Sequence, residues 1–382
     1  MPRGVDANQK TEQRVLNYKK LWSNNLLDWY AVNGRDLPWR RTRDPYAIWL
    51  SEVLLQQTRV DQGLPYYLRF LAHFPRVQEL AKADIQDVLR LWQGLGYYRR
   101  AHHLHLAAKR VVENGGVFPQ SPSEWLQLPG VGTYTSAAIA SIAFDYPVPV
   151  VDGNVIRVLS RAFGFDAPYD TAEGMHWIRQ TAQELLDLKR PGDYNQALMD
   201  LGATVCTPQK PSCSSCFWQK KCVAHLQNRV GEWPLRSKTT KVVPLTLDYL
   251  VLLHRGKVLL FPRQEQGIWA GLYEFLPQPW AGAWDGAAWD RLWGLENPSK
   301  DLGHRLVTLK HALSHRSLTL NLNCLRLGRI LHLEGGVWVH LHDLDPYPLP
   351  QPLLLFLKQT DFNYGRTQQS HADRQSRQRP RS

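Results

Sequence analysis

A mainly α-helical amino-terminal half joined to a smaller α+β carboxy-terminal domain is the fold class this sequence predicts, on three observations. Apolar residues recur at helical spacing from Leu16 to about Val230. The texture then changes at GEWPLRSKTTKVVP (231–244), a polar, proline-flanked linker. Beyond it, LTLDYLVLLHRGKVLLF, LTLNLNCLRL and GGVWVHL read as strands. A length of 382 residues accommodates two or three domains, and a hydrophobic content of 43 % with 15 tryptophans supplies their cores.

Taken in order, residues 1–15 read as a basic disordered tail and residues 16–230 as the helical region. Asp44-Pro45 is a start signal, an aspartate N-cap followed by proline at the first helical position. YAIWLSEVLLQQTRV continues that helix at the right spacing. A second helix runs from Ile85 to Trp92, and Gly94 and Gly96 break it before YYRRAHHLHLAAKRVVENGG. Further helical stretches cover about Asp152–Phe163 and Ala172–Leu188. The α+β domain occupies residues 245–360, and residues 361–382 form a second basic disordered tail.

The formal net charge is +12. Residues 1–20 carry five basic and two acidic side chains, and residues 365–382 carry five arginines and one aspartate, so the two ends supply +7 of it. Such a balance permits a polyanionic partner without requiring one. No apolar run reaches the ~18 residues that span a bilayer, and the polar amino terminus lacks a signal-peptide core. The expectation is an intracellular, cytoplasmic protein without a membrane partner.

In that setting five cysteines do not suggest a disulfide framework. Four of them stand in CTPQKPSCSSCFWQKKC (206–222): Cys206, Cys213, Cys216 and Cys222, at spacings of six, two and five residues. Four thiolates so placed can converge on one centre, and thiolates suit zinc or an iron–sulfur cluster equally. Lys210, Lys220 and Lys221, with no acidic residue between the cysteines, make the loop electropositive. Cys324 lies apart in a strand pattern and reads as a core residue.

LPGVG (128–132) is a glycine turn opening the helix TYTSAAIA. Gly130, Val131 and Gly132 can present backbone N–H groups to a phosphate at that helix mouth, a way of holding a nucleic-acid backbone without reading its sequence. Two carboxylates stand out as well. Glu52 sits in the apolar stretch WLSEVLLQQTRV, where desolvation raises a carboxyl pKa and keeps it protonated. Asp152, in VPVVDGNVIRV, reads as a helix N-cap and as a second carboxylate at once. One acid to protonate a leaving group and one carboxylate to stabilise an oxocarbenium-like sugar is the equipment of glycosidic bond cleavage.

LPGVG, VDGNVIRV and the cysteine cluster together resemble the helix-hairpin-helix DNA glycosylase superfamily, over roughly Leu21 to Cys222. LPWR (37–40), SEVLLQQT (51–58), GLGYYRRA (94–101) and VDGNVIRV (151–158) narrow the resemblance to the adenine DNA glycosylases, the MutY family. That resemblance implies a six-helix barrel with an iron–sulfur cluster domain, and one 4Fe-4S cluster on the four cysteines. It implies that Glu52 protonates adenine N7, that Asp152 stabilises the cationic sugar, and that Tyr134 and Asn154 support them. Trp39, Arg40 and Leu55 match positions lining the pocket for a flipped adenine, and Gln57 and Tyr97 match side chains wedged into the base stack. Relatives that also cut the backbone, such as endonuclease III, carry a Schiff-base lysine where Tyr134 stands here. A monofunctional enzyme is therefore expected.

VLLHRGKVLLFPRQEQGIWAGLYEFLP (251–277) resembles the start of a Nudix-like domain. Trp280, Trp284, Asp285, Asp290 and Glu296 follow, without the acidic spacing a Nudix hydrolase needs, so recognition rather than hydrolysis is expected. Leu313-Ser314-His315 matches a loop that contacts 8-oxoguanine in the MutY family, with leucine in place of the family's aromatic. The expected activity is hydrolysis of the N-glycosidic bond of adenine mispaired with 8-oxoguanine or guanine in double-stranded DNA, by a monomer. The alternatives are a thymine or uracil mismatch glycosylase of the same superfamily, and a non-catalytic DNA-binding module.

Overall fold

The computed structural model describes residues 4–237, 242–263, 267–277, 305–313 and 316–359. Two compact units divide the chain: residues 1–83 with 103–239, and residues 84–102 with 240–382. No helix among the described residues is long and apolar enough to cross a membrane.

In the first unit, helix α1 runs Gly4–Asn33. It absorbs most of the expected disordered tail, because Val15 joins Trp22 and Leu26 in a buried cluster that anchors the helix. Helix α2 (Pro45–Leu55) starts as the sequence signals, with the Asp44 side chain accepting from the Tyr46 N–H. It ends sooner than its apolar spacing suggests. The chain breaks at Gln56–Gln57 before α3 (Val60–His73), and Gln57 takes a left-handed φ of 56°. Next come α4 (Val77–Lys82), then α5 (Ile85–Trp92), which belongs to the second unit, then α6 (Arg99–Glu113) and α7 (Pro122–Trp125).

Helices α8 (Thr133–Phe144), α9 (Gly153–Phe163), α10 (Ala172–Leu185) and α11 (Pro191–Asp200) complete the frame. Helix α10 stops three residues short of the expected Leu188, where Leu186 turns extended. Tryptophans organise both sides of the core: Trp49 and Trp125 pack with Phe118, while Trp22 packs on Phe163 and Trp218 and donates to the Tyr194 hydroxyl at 2.9 Å. Helices α8 and α11 are pinned by Asn195, whose amide donates to Ser141 Oγ and the Val148 carbonyl, both at 2.9 Å, and accepts from the Val150 N–H at 3.0 Å. That single side chain fixes the strand of chain leading to Asp152.

A π-helical turn (Leu201–Val205) follows α11 and delivers Cys206. Short α12 (Val223–Leu226) closes the cysteine loop. The segment expected as a free linker is docked as far as Ser237. Trp233 is buried, its carbonyl accepts from Arg161 Nε at 3.0 Å, the Leu235 carbonyl accepts from the Tyr169 N–H at 3.0 Å, and Asp170 accepts from the Ser237 N–H at 2.7 Å. A large apolar side chain explains this: Trp233 is too costly to leave in water.

In the second unit, β1 (Val243–His254), β2 (Lys257–Pro262), β3 (Tyr273–Glu274), β4 (Leu276–Pro277), β5 (Arg305–Ala312), β6 (Arg316–Arg326) and β7 (Val337–His340) form a mixed sheet in the order β3-β2-β1-β6-β5. Strands β4 and β7 pair with β1 and β2 respectively. Strand β1 runs parallel to β6, Val243 opposite Arg316, and antiparallel to β2. Leu318, Leu320, Leu322 and Cys324 alternate into a core with Val251, Leu253, Phe275 and Phe356, the last from helix α13 (Gln351–Gln359). Trp280, Trp284, Asp285, Asp290, Glu296, Ser314, His315 and the tail 361–382 lie outside the described residues.

Candidate active site

Helix α2 is buried all round, so Glu52 has no route to water along its own helix. Burial raises its pKa from 4.5 to about 7; the charge of Asp152 adds to the rise, while a hydrogen bond from Tyr134 and the charge of Arg40 oppose it. The Tyr134 hydroxyl donates to Glu52 Oε2 at 2.8 Å and touches Met199 Sδ at 3.6 Å.

Tyr134 is the second residue of α8 and reaches Glu52 because of the turn before it. Gly130 adopts φ +75°, and a Cβ there would lie 2.6 Å from the Cβ of His103, so only glycine fits. Gly132 is the N-cap of α8 and brings no side chain to it, which leaves the first-turn N–H groups directed outward. The site and the turn are thus built on one helix end.

Asp152 is the N-cap of α9, and its charge acts on Glu52. Its Oδ1 accepts from the Val155 N–H at 2.8 Å and its Oδ2 from Asn154 Nδ2 at 2.8 Å. Burial pushes its pKa up against the pull of these bonds. Asn154 in turn accepts from Arg157 Nη2 at 2.7 Å, and Arg157 donates to the carbonyls of Gly202 and Cys206, both at 2.7 Å. One helix turn therefore connects the carboxylate to the first cysteine.

Of the other expected pocket residues, Trp39 is buried edge-on against Tyr67 at 5.0 Å, and Leu55 ends α2 against Gly63. Arg40 is held by Asp200, which sequence reasoning missed. The signal was the same as for Glu52: an acid alone in the apolar run LMDLGATVC. Gln57, exposed, and Tyr97, in the second unit, share one property. Both are non-glycine residues at positive φ, 56° and 50°.

The four clustered cysteines are free thiols. Arg161 Nη1 lies 3.5 Å from Cys206 Sγ and donates to the Thr207 carbonyl at 2.7 Å. Burial, and then the other three thiols, raise the Cys216 pKa to about 11, so the sulfurs sense one another. Among the described residues, no three metal-ligating side chains stand close enough together to hold an ion as placed. The donor set itself, four unpaired thiols backed by Arg161 and loop lysines, fits an anionic thiolate cluster.

Comparison with known proteins matches residues 50–187 to the family described as HhH-GPD superfamily base excision DNA repair protein, and residues 248–359 to the NUDIX domain family. The adenine DNA glycosylase of Buchnera aphidicola subsp. Acyrthosiphon pisum is 31 % identical over 349 residues, covering 89 % of this chain and 97 % of that protein.

The chain belongs to the adenine DNA glycosylase family.

Its match to the rat adenine DNA glycosylase is 50 % identical over 219 residues, 54 % of this chain and 42 % of that protein. The chain thus spans less than half the length of the mammalian family member it matches. A solved thermostable thymine-DNA glycosylase superposes with a TM-score of 0.51 at 30 % identity, covering 55 % of this chain and 98 % of that one.

Proposed function

We propose that this chain is a monofunctional adenine DNA glycosylase, hydrolysing the N-glycosidic bond of adenine opposite 8-oxoguanine or guanine in double-stranded DNA. The observation that carries the reading is Glu52, buried and titrating near pH 7, bonded to Tyr134 and within electrostatic reach of Asp152. Protonated Glu52 delivers its proton to N7 of the flipped adenine, making the base a leaving group. Asp152, whose two N–H donors favour its carboxylate form against the opposing effect of burial, stabilises the cationic sugar that remains. Water completes the hydrolysis. Tyr134 has no amine to trap the sugar, so the reaction stops at base removal.

Trp39, Arg40 and Leu55 line the base pocket, and Gln57 and Tyr97 enter the stack. The N–H groups of Gly130, Val131 and Gly132 grip a phosphate. Cys206, Cys213, Cys216 and Cys222 would hold one 4Fe-4S cluster, which would tie together the loop that carries Lys210, Lys220 and Lys221. The carboxy-terminal domain reads the opposite base through Ser314 and His315. The enzyme acts as an intracellular monomer.

The test is single-turnover base release from a panel of mispairs. Adenine release from the 8-oxoguanine and guanine mispairs is expected. Release of thymine or uracil instead assigns the chain to the chemistry named for its thymine-DNA glycosylase neighbour, and binding without release makes it a DNA-binding module.

A further inference from the structure

The second unit joins residues 84–102 to the strand domain. That segment holds α5, the turn after it and the start of α6, and three bonds keep the turn closed. Trp92 Nε1 donates to the Gly96 carbonyl at 3.0 Å, the Gly94 N–H to the Tyr98 hydroxyl at 3.1 Å, and Arg100 Nη2 to the Gly96 carbonyl at 3.3 Å. The Arg100 guanidinium lies 5.0 Å from the Trp92 ring centroid and 5.7 Å from that of Tyr97. Tyr97 is exposed, at its left-handed φ. It is a ring presented to solvent on a backbone that its neighbours fix.

Two residues beyond Arg100, His102 donates its backbone N–H to the Tyr98 carbonyl at 3.3 Å. Its imidazole meets the Nudix-like domain, at a turn of the same unit. A Cβ at Gly271 would lie 2.6 Å from His102 Nε2, 2.8 Å from its Cε1 and 3.7 Å from Leu89 Cδ1 on α5. Nε2 is buried with no hydrogen-bond partner among the described residues, an arrangement that costs stability, so the contact works by shape. The turn is braced from behind. Arg263 donates from Nε to the Ile268 carbonyl at 2.8 Å and from its backbone N–H to the Leu272 carbonyl at 2.7 Å. Its guanidinium is held by buried Glu274 and by the Tyr249 hydroxyl.

We propose that His102 is a positioning residue through which the Gly271 turn of the Nudix-like domain sets the wedge residue Tyr97. The proposal rests on the adenine-excision reading and on Tyr97 as its wedge. In this role His102 does not touch substrate. It fixes the first turn of α6, and with it the Tyr98 carbonyl and the Arg100 guanidinium on either side of the wedge. The carboxy-terminal domain then acts on extrusion of the adenine, and not only on the base opposite.

The experiment uses the full chain with His102→Ala, Gly271→Asn and the pair, each with Tyr97 intact and with Tyr97→Ala. Asparagine tolerates left-handed φ best among residues with a Cβ, so Gly271→Asn chiefly adds the atom that strikes the imidazole. The readouts are single-turnover adenine release and the fluorescence of 2-aminopurine beside the mispaired adenine, which brightens as the stack opens. With Tyr97 intact, Gly271→Asn is expected to slow both by roughly 10- to 100-fold, the scale of a small misplacement. The pair is expected to be no slower than His102→Ala alone, because removing the imidazole makes room for the new Cβ. In the Tyr97→Ala background neither substitution is expected to slow stack opening further. Losses that multiply in the pair overturn the proposal, as does equal slowing with and without Tyr97. If Gly271→Asn does not fold, His102→Ala decides: slower stack opening only where Tyr97 is present supports the proposal, and any other pattern refutes it. A wild-type enzyme that releases no adenine refutes the functional reading, and a Tyr97→Ala variant that opens the stack normally refutes the wedge; an active enzyme with a working wedge but multiplying losses refutes His102 alone.

Discussion

Tyr134 donates its phenolic hydrogen to Glu52 Oε2 at 2.8 Å, in a setting where burial and two neighbouring carboxylates hold that phenol far above the ordinary tyrosine pKa. The phenol is therefore a fixed donor. It favours the ionised form of Glu52, burial favours the neutral form, and the balance near 7 suits an acid that must give up a proton at neutral pH.

Glu52→Gln should abolish adenine release and leave mispair affinity within a fewfold of wild type, read by single-turnover excision and equilibrium binding. In the wild-type enzyme release should fall as pH rises through about 7, where Glu52 ionises. The raised pKa also bears on stability. Below 4.5 the group is neutral in both states; as pH climbs from 4.5 past 7, the unfolded chain ionises first and the fold loses on the order of 3 kcal/mol. Thermal unfolding should accordingly find Glu52→Gln more stable than wild type at pH 8 and little changed at pH 4. An excising, unstabilised variant would remove Glu52 from its role.

Tyr134→Phe deletes the bond that lowers the Glu52 pKa. The alkaline limb of the pH–rate profile should move to higher pH, and the maximal rate should drop as the carboxyl loses its orientation. Borohydride should trap no covalent complex with wild-type enzyme. Abundant trapping through one lysine would restore the lyase alternative.

Cys213→Ala should lower folded yield and DNA affinity, because the cluster loop would lose one of its four ties. Protein purified without oxygen should be brown, absorbing at roughly 400 nm from thiolate–iron charge transfer. Stoichiometric zinc in that preparation would contradict the iron–sulfur assignment.

Ending the chain after Ser237 keeps the docked segment, including the Leu235 and Ser237 backbone bonds. The truncated enzyme should release adenine from both mispairs with a narrower preference for 8-oxoguanine, and with a shallower salt dependence. Alanine at Ser314 and His315 should move the full chain the same way, by about 1–3 kcal/mol per lost contact at most. An unchanged ratio between mispairs would take opposite-base reading away from the carboxy-terminal domain.

What the sequence made legible were features written locally. The Asp44-Pro45 cap, the Gly130 turn, the Asp152 N-cap and the desolvation of Glu52 can each be read from a few consecutive residues, and each recurs in the structure. What stayed hidden depends on partners far along the chain. Asp200 meets Arg35 and Arg40 across more than 150 residues, and Trp233 docks on Arg161 from within an apparently polar linker. The break at Gln57 was hidden differently: the apolar spacing from Trp49 through Leu55 to Val60 reads as one helix across a residue whose backbone departs from it.

Gln57 and Tyr97 occupy backbone conformations that glycine would adopt freely, at a cost of roughly 1 kcal/mol each for a residue with a Cβ. If their side chains enter the base stack, this cost cannot be removed without removing the function. Laboratory evolution for heat resistance should then return glycine at positions 57 and 97 early, and those survivors should melt later while repairing worse. The two properties could be improved together only at other positions, so the backbone at these two residues sets a trade-off between durability and repair.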